Sequence, residues 1–246
     1  NVIGYVEGSD PELKKEAVVI GAHYDHLGYL TKPFPGTDSI FNGADDNASG
    51  TSGMMAIAKA ISSMPEPPRR SVIFIAFAGE EKGLVGSATY VRDPRWPLEK
   101  TVAMLDLDMI SRNSPDRLEI IGAKHFPALA KTLLSHTKKL GFNLEAESDF
   151  PQDRGSDHYN FVLKGIPAVF IFTGLHQDYH KVTDSSDRID ADKAARVARL
   201  TFLSAWTIAN RHRYYTKGKT GTGGSPTGPD QQKARAESSH DPYADM

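Results

Sequence analysis

Cysteine is absent from the 246 residues of this chain. That excludes disulfides and thiolate zinc sites, so any metal must sit on oxygen and imidazole. A dominant charge is missing too: 29 Lys and Arg stand against 31 Asp and Glu, for a formal net charge of −2. Nucleic acids and anionic membranes recruit basic patches, and this balance gives no broad signal for either. No run approaches the ~20 apolar residues that span a bilayer, and no basic-then-apolar export segment stands at the start. The chain opens at Asn1 rather than Met. It reads as a processed or trimmed form, with which a lost export signal is compatible.

What the chain does have is a series of apolar runs, at 2–6, 17–22, 71–77, 101–107, 117–121 and 167–172. Most are continuous in Val, Ile, Leu, Phe and Ala rather than alternating, the pattern of strands buried on both faces. Helical patterns fall between them, at 48–63, 84–92, 126–140, 157–164 and 190–210. This alternation predicts an α/β fold, a three-layer α/β/α sandwich around a mixed, mainly parallel central sheet. Ser49 or Asn47 is placed to cap the first helix, which Pro65, Pro67 and Pro68 end, and Ser156 or Asp157 is placed to cap the fourth. The length suits one catalytic domain over 1–215. Residues 216–246 turn to Gly, Ser, Thr, Pro, Gln and charge, the composition of a disordered polar tail or linker.

Chemistry-bearing residues sit where the apolar runs end. The run Ala-Gly-Glu-Glu-Lys-Gly-Leu-Val-Gly-Ser at 78–87 places Glu80 and Glu81 just past one strand. A strand entering a loop lets both carboxylates reach one site, one to bind a metal and the other to move a proton. Another strand leads into His23-Tyr24-Asp25-His26 and a third into Asp106-Leu107-Asp108, while Asp45-Asp46-Asn47 precedes a helix and Tyr179-His180 lies far downstream. In open α/β sheets, loops from different strands converge beyond their carboxyl ends.

His23, one of Asp45 or Asp46, Glu81, Asp108 and His180 supply five ligands, the number two zinc ions need if one carboxylate is shared. Asp25, two residues after His23, suits the carboxylate that fixes a ligating imidazole's tautomer. His26 lacks such support and reads as a loop residue. Asp106 and Asp108 form a buried-looking pair, and a nearby cation would offset the cost of burying at least Asp108. Glu80 is the candidate general base, and the Tyr179 hydroxyl is placed to donate to an oxyanion.

Taken together, Gly-Ala-His-Tyr-Asp-His, Gly-Ala-Asp-Asp-Asn-Ala-Ser-Gly, the Glu80-Glu81 run, Leu-Asp-Met-Ile and Tyr-His-Lys-Val-Thr-Asp resemble the di-zinc aminopeptidase family that also contains glutamate carboxypeptidase II. Order and spacing match over about residues 2–210. The resemblance selects Asp46 as the bridging ligand, with His23 and Asp108 on one zinc and Glu81 and His180 on the other. It implies Glu80 as general base, Asp25 as partner of the first histidine, Tyr179 as an aid to the oxyanion, and a cis peptide at Asp46–Asn47. It further implies peptide substrates with a free N-terminus and a secreted or periplasmic location. Asp157 and His158 are expected to cap a helix and order the pocket wall, and Arg154 to meet a substrate carbonyl or carboxylate. Phe150, Tyr159, Phe161, Phe172 and Leu175 are open to either pocket lining or core packing.

Three rival readings have sequence tests. A single-zinc glutaminyl cyclase would use the equivalents of Asp46, Glu81 and His180 alone, and the presence of His23 and Asp108 favours two metals. A carboxypeptidase of the glutamate type calls for a basic cluster, and none stands out. An inactive receptor-like module would have lost ligands, and none is lost.

Overall fold

Seven strands in the order β1-β5-β2-β6-β9-β7-β8 form the central sheet of the computed structural model, which describes residues 1–31, 38–144 and 155–212. These strands are β1 (Val2–Val6), β2 (Ala17–His23), β5 (Ser71–Phe77), β6 (Thr101–Leu107), β7 (Arg117–Ile121), β8 (Asn143–Leu144) and β9 (Ala168–Phe172). A separate short hairpin pairs β3 (Gly28–Tyr29) with β4 (Ile40–Phe41). The helices are α1 (Gly50–Ser62), α2 (Val85–Arg92), α3 (Pro127–Thr137), α4 (His158–Leu163) and α5 (Ala191–Asn210). All described residues belong to one compact unit. The expected tail at 216–246, Phe150 and Arg154 lie outside them.

The neighbours β5, β2, β6 and β9 run parallel, while β1 and β7 pair antiparallel at either side of that group. The mixed, mainly parallel sheet is the expected one. Strands buried on both faces need cover on both, and the sequence supplies it in alternate residues. Val18, Ile20 and Ala22 of β2 join Met54, Ile57 and Ile61 of α1, Leu129 and Leu133 of α3, and Val197, Leu200 and Ile208 of α5 in one core. Ala17 and Val19 face the other way, with Tyr90 and Val91 of α2 and Phe161 of α4. Three layers result. Phe161 therefore belongs to the core, stacked on Tyr90 with ring centroids 5.7 Å apart, whereas Leu175 is exposed.

Among the described strands the sequence reading missed the short ones, and it also missed single-turn 3-10 segments such as Leu13–Lys15, Leu98–Lys100 and Ser186–Arg188. β3, β4 and β8 have two residues each, too few to show a hydrophobic period. No helix among the described residues is long and apolar enough to cross a membrane.

Two cap expectations are settled by local hydrogen bonds. Asn47 rather than Ser49 serves α1: its Oδ1 accepts from Gly50 N at 2.9 Å, while Ser49 Oγ donates to the Asp45 carbonyl at 2.7 Å. At α4 neither expected side chain caps. Ser156 Oγ donates to Asp108 Oδ2 at 2.9 Å, Asp157 Oδ1 accepts from Ser87 Oγ, and the N–H of His158 goes to Asp106 Oδ2 at 2.8 Å. A buried carboxylate from the adjacent strand has taken the place of a cap.

Because β5, β2, β6 and β9 are parallel, their carboxyl ends share one edge of the sheet. His23 ends β2, Glu80 and Glu81 follow β5, Asp108 follows β6, and the loop carrying Tyr179 and His180 follows β9. The turn with Asp45 and Asp46 meets them there because Gly50 has no side chain. A Cβ at 50 would lie 2.2 Å from Asn47 Oδ1 and 2.4 Å from the Leu107 carbonyl.

Candidate metal centre

His23 is almost completely buried at 1% exposure. Its Nδ1 lies 3.1 Å from the Asp25 backbone carbonyl and therefore carries a hydrogen, so Nε2 is the nitrogen left to face a metal. That Nε2 stands 3.2 Å from Asp46 Oδ1 and 3.4 Å from Asp108 Oδ1. On the other side of Asp46, Oδ2 lies 3.2 Å from His180 Nε2, which is also 3.2 Å from Glu81 Oε2. The two oxygens of Asp46 thus face two different histidines.

Asp45 and Asp46 part ways in the turn between them. Asp45 Oδ1 accepts from both Ser111 N at 2.9 Å and Ser111 Oγ at 2.6 Å, and its Oδ2 lies 3.2 Å from His176 Nε2. The Asp184 carboxylate accepts from Asp45 N and Asp46 N and so fixes the backbone between them. The Asp46–Asn47 peptide is cis, as the resemblance implied.

Asp25 acts on a different partner than expected. Its carboxylate is 3.8 Å from His23 Nδ1, beyond hydrogen-bond reach, and instead accepts from Glu80 N at 3.0 Å and Glu81 N at 3.3 Å. These loop N–H groups have no strand neighbour to serve, and a carboxylate satisfies both. The His23 tautomer is held by the Asp25 main chain, and the Glu80-Glu81 loop by its side chain.

His26, read from sequence as a loop residue, belongs to the site. Its Nδ1 is 2.8 Å from Glu81 Oε1 and 3.8 Å from Asp46 Oδ2. Its place in the His-Tyr-Asp-His run was the one available signal. His176 carried none; Asp184 closes the Tyr-His-Lys-Val-Thr-Asp run and Ser156 was read as a cap, but nothing local in the chain told which partner either one meets.

Tyr179 lies beside the centre, stacked on the His180 ring at 3.8 Å between centroids and packed against Met109, Ile121, Phe170 and Phe172. Burial, reinforced by Asp46, Glu81, Asp108 and Glu80, keeps its hydroxyl protonated well past the usual phenol range. Phe172 thus backs Tyr179.

Charge is concentrated here. Burial raises the Glu80 carboxyl to about 9; His23 opposes the shift, and Asp108, Asp157 and Glu81 add to it. Burial also raises Asp108, against the pull of His23. For Asp46, burial works against ionisation, but the contacts with His180 and His23 prevail and hold the carboxyl well below its usual range. His180 goes up to about 10: burial opposes its charge, and Asp46 and Glu81 overcome that.

Whether these residues suit a metal can be judged from their unsatisfied atoms. His23 Nε2, Asp46 Oδ2 and Asp108 Oδ1 are buried without a hydrogen-bond partner. Buried polar atoms are rarely left so, and here an imidazole nitrogen and carboxylate oxygens converge, which is the donor set of a zinc site. Among the described residues two groups have metal-holding spacing, His23 with Asp46 and Asp108, and His26 with Asp46 and Glu81, and both contain Asp46.

The chain is similar to known proteins over most of its length. The model of Peptidase family M28 matches residues 1–205. Aminopeptidase YwaD of Bacillus subtilis is 26% identical over 210 residues, which cover 80% of this chain and 42% of that protein. A glutamate carboxypeptidase 2 homolog of Caenorhabditis briggsae is 27% identical over 194 residues, 69% of this chain and 23% of the relative. In fold, the chain is similar to BSAP, a zinc aminopeptidase from Bacillus subtilis, with a TM-score of 0.68 at 24% identity over 86% of this chain and 50% of the other. The chain spans half or less of the length of these relatives. Matched by the family model from its first strand into its last helix, the chain belongs to peptidase family M28.

Proposed function

We propose that this protein is a zinc-dependent aminopeptidase that holds two zinc ions, one on His23 and Asp108 and the other on Glu81 and His180, with Asp46 shared. The observation that carries this reading is the placement of Asp46 between His23 and His180, each 3.2 Å from a different carboxylate oxygen. The names of YwaD and BSAP as aminopeptidases support the reaction class.

Bound zinc supplies Lewis acidity, which acidifies water and polarises a carbonyl. The protein's own residues do the rest. Glu80 is the general base: its carboxylate takes a proton from the attacking water and returns it to the nitrogen of the departing amine. Burial, with Asp108, Asp157 and Glu81 adding to it, raises its pKa to about 9, and a cation held by the neighbouring ligands would lower it toward a working base. Asp25 orients this base through the backbone N–H of Glu80. The Tyr179 hydroxyl, kept protonated by burial, is available to donate to the developing oxyanion. The substrate's free α-amine is a cation suited to the remaining carboxylate charge. An exported location fits a peptidase of this kind and belongs to the same proposal.

Zinc per chain, measured together with hydrolysis of a panel of aminoacyl p-nitroanilides, tests the reading. About two zinc ions and activity on N-terminally free substrates are expected. One zinc without hydrolysis points to a cyclase, and cleavage restricted to C-terminal acidic residues points to a carboxypeptidase. No zinc after resupply overturns the proposal.

A further inference from the structure

We propose that His26 is a positioning residue for Glu81: its Nδ1–H holds Glu81 Oε1, so that Oε2 alone is presented to the space shared with Asp46 and His180. The inference rests on the reading of Glu81 as a zinc ligand and extends it to a residue outside the five ligands.

The hydrogen bond is short and its direction is determined. His26 Nδ1 lies 2.8 Å from Glu81 Oε1. An ionised carboxylate only accepts, so Nδ1 carries the hydrogen, and a nitrogen that carries a hydrogen has no lone pair for a metal. The other nitrogen, Nε2, is buried and has no hydrogen-bond partner. His26 therefore stands at metal-holding distance without the free lone pair on Nδ1 that a ligand needs. Glu81 Oε2, in contrast, is 3.2 Å from His180 Nε2 on the side of Asp46.

The imidazole is itself held in place. Gly43 has φ of 60°, and a Cβ there would lie 2.6 Å from His26 Cγ, so the ring packs directly on the glycine backbone. The His180 ring meets it edge to face at 5.8 Å. A ring confined in this way directs its N–H without the entropy loss that a free side chain would suffer on forming the same bond. The segment from His23 to His26 thus grips the two glutamates twice, by the Asp25 carboxylate on their backbone N–H groups and by His26 on the Glu81 side chain.

Groups that hydrogen-bond to metal ligands typically change metal affinity by about 10–100-fold when removed. Three variants separate positioning from ligation and from mere packing. Asparagine places an amide N–H near the position of Nδ1, glutamine places it farther out, and alanine removes it. Metal-free wild type, His26→Asn, His26→Gln and His26→Ala would each be titrated with zinc against a chromophoric chelator, with circular dichroism to check folding. In wild type two zinc ions are expected to bind. In His26→Ala the affinity of one is expected to fall about 10–100-fold, with the other unchanged and His26→Asn close to wild type. If His26→Ala does not fold, weaker binding by His26→Gln than by His26→Asn carries the same expectation. Two unchanged affinities in His26→Ala would overturn the proposal, as would a loss that His26→Asn fails to restore, which marks His26 as a ligand. A wild type that takes up no zinc would sink the zinc reading itself, a result distinct from either.

Discussion

The carboxylate of Asp184 holds the backbone of Asp46 from behind, with Oδ2 3.1 Å from the Asp46 N–H. It also accepts from Asp45 N, and both aspartates are buried. The side chain of Asp46 is thereby aimed at His23 and His180 by a residue that itself touches neither.

Asp184→Ala leaves two buried N–H groups without partners. The expected cost is about 2–4 kcal/mol, since each unsatisfied buried donor costs about 1–3 kcal/mol and the effects overlap. Urea unfolding of metal-free wild type and variant measures it. A loss below about 0.5 kcal/mol would contradict this account of the turn.

Glu80→Gln removes the proposed base while keeping a side chain of nearly the same shape. The turnover number is expected to fall by about 10²–10⁴-fold. Zinc content should stay as in wild type, because Glu80 is outside the ligand set. Steady-state kinetics with metal analysis checks both, and a variant that keeps full activity removes Glu80 from the mechanism.

Zinc uptake should release protons. In the metal-free protein, contacts with Asp46 and Glu81 overcome burial and raise His180 to about 10, so it is charged at neutral pH, and at His23 the Asp108 and Asp46 carboxylates likewise overcome burial and favour the protonated ring. A ligand must shed its proton first, so affinity rises with pH and falls as the solution is acidified. Calorimetric titration in two buffers of different ionisation enthalpy reads the proton count directly. An identical heat in both buffers would mean that no proton leaves.

Gly50→Ala tests how closely the Asp46 turn is pressed on β6. The added Cβ meets the Asn47 side chain at 2.2 Å and the Leu107 backbone carbonyl at 2.4 Å, and the second obstacle cannot swing away. Overpacking of this kind costs about 1–3 kcal/mol, and the upper end is expected. The thermal midpoint should drop with zinc affinity, since moving Asn47 moves Asp46. Unchanged melting and binding would show that the turn has room.

Much of this molecule is written in local patterns. Apolar runs placed the six longer strands, those of β2, β5, β6 and β9 continuous because burial on both faces leaves few polar positions, and acids or a histidine stood at or just past the ends of β2, β5 and β6. Runs such as His-Tyr-Asp-His and Gly-Glu-Glu announced a metal centre for the same reason: the chemistry needs those groups near one another at strand ends.

Orientation was another matter. Asp45 and Asp46 are adjacent and chemically alike, and only contacts with Ser111, His176 and Asp184, up to 139 residues distant in sequence, turn the first away and the second inward. Asp25 was expected to serve the neighbouring imidazole, yet its carboxylate meets a loop 55 residues downstream. His26 was passed over for want of a neighbour in sequence, and its neighbour in space is Glu81. Hydrogen bonds are directional and join whatever folding brings together, so residue types and spacing set the inventory of the site, while the packed sheet assigned each side chain its partner.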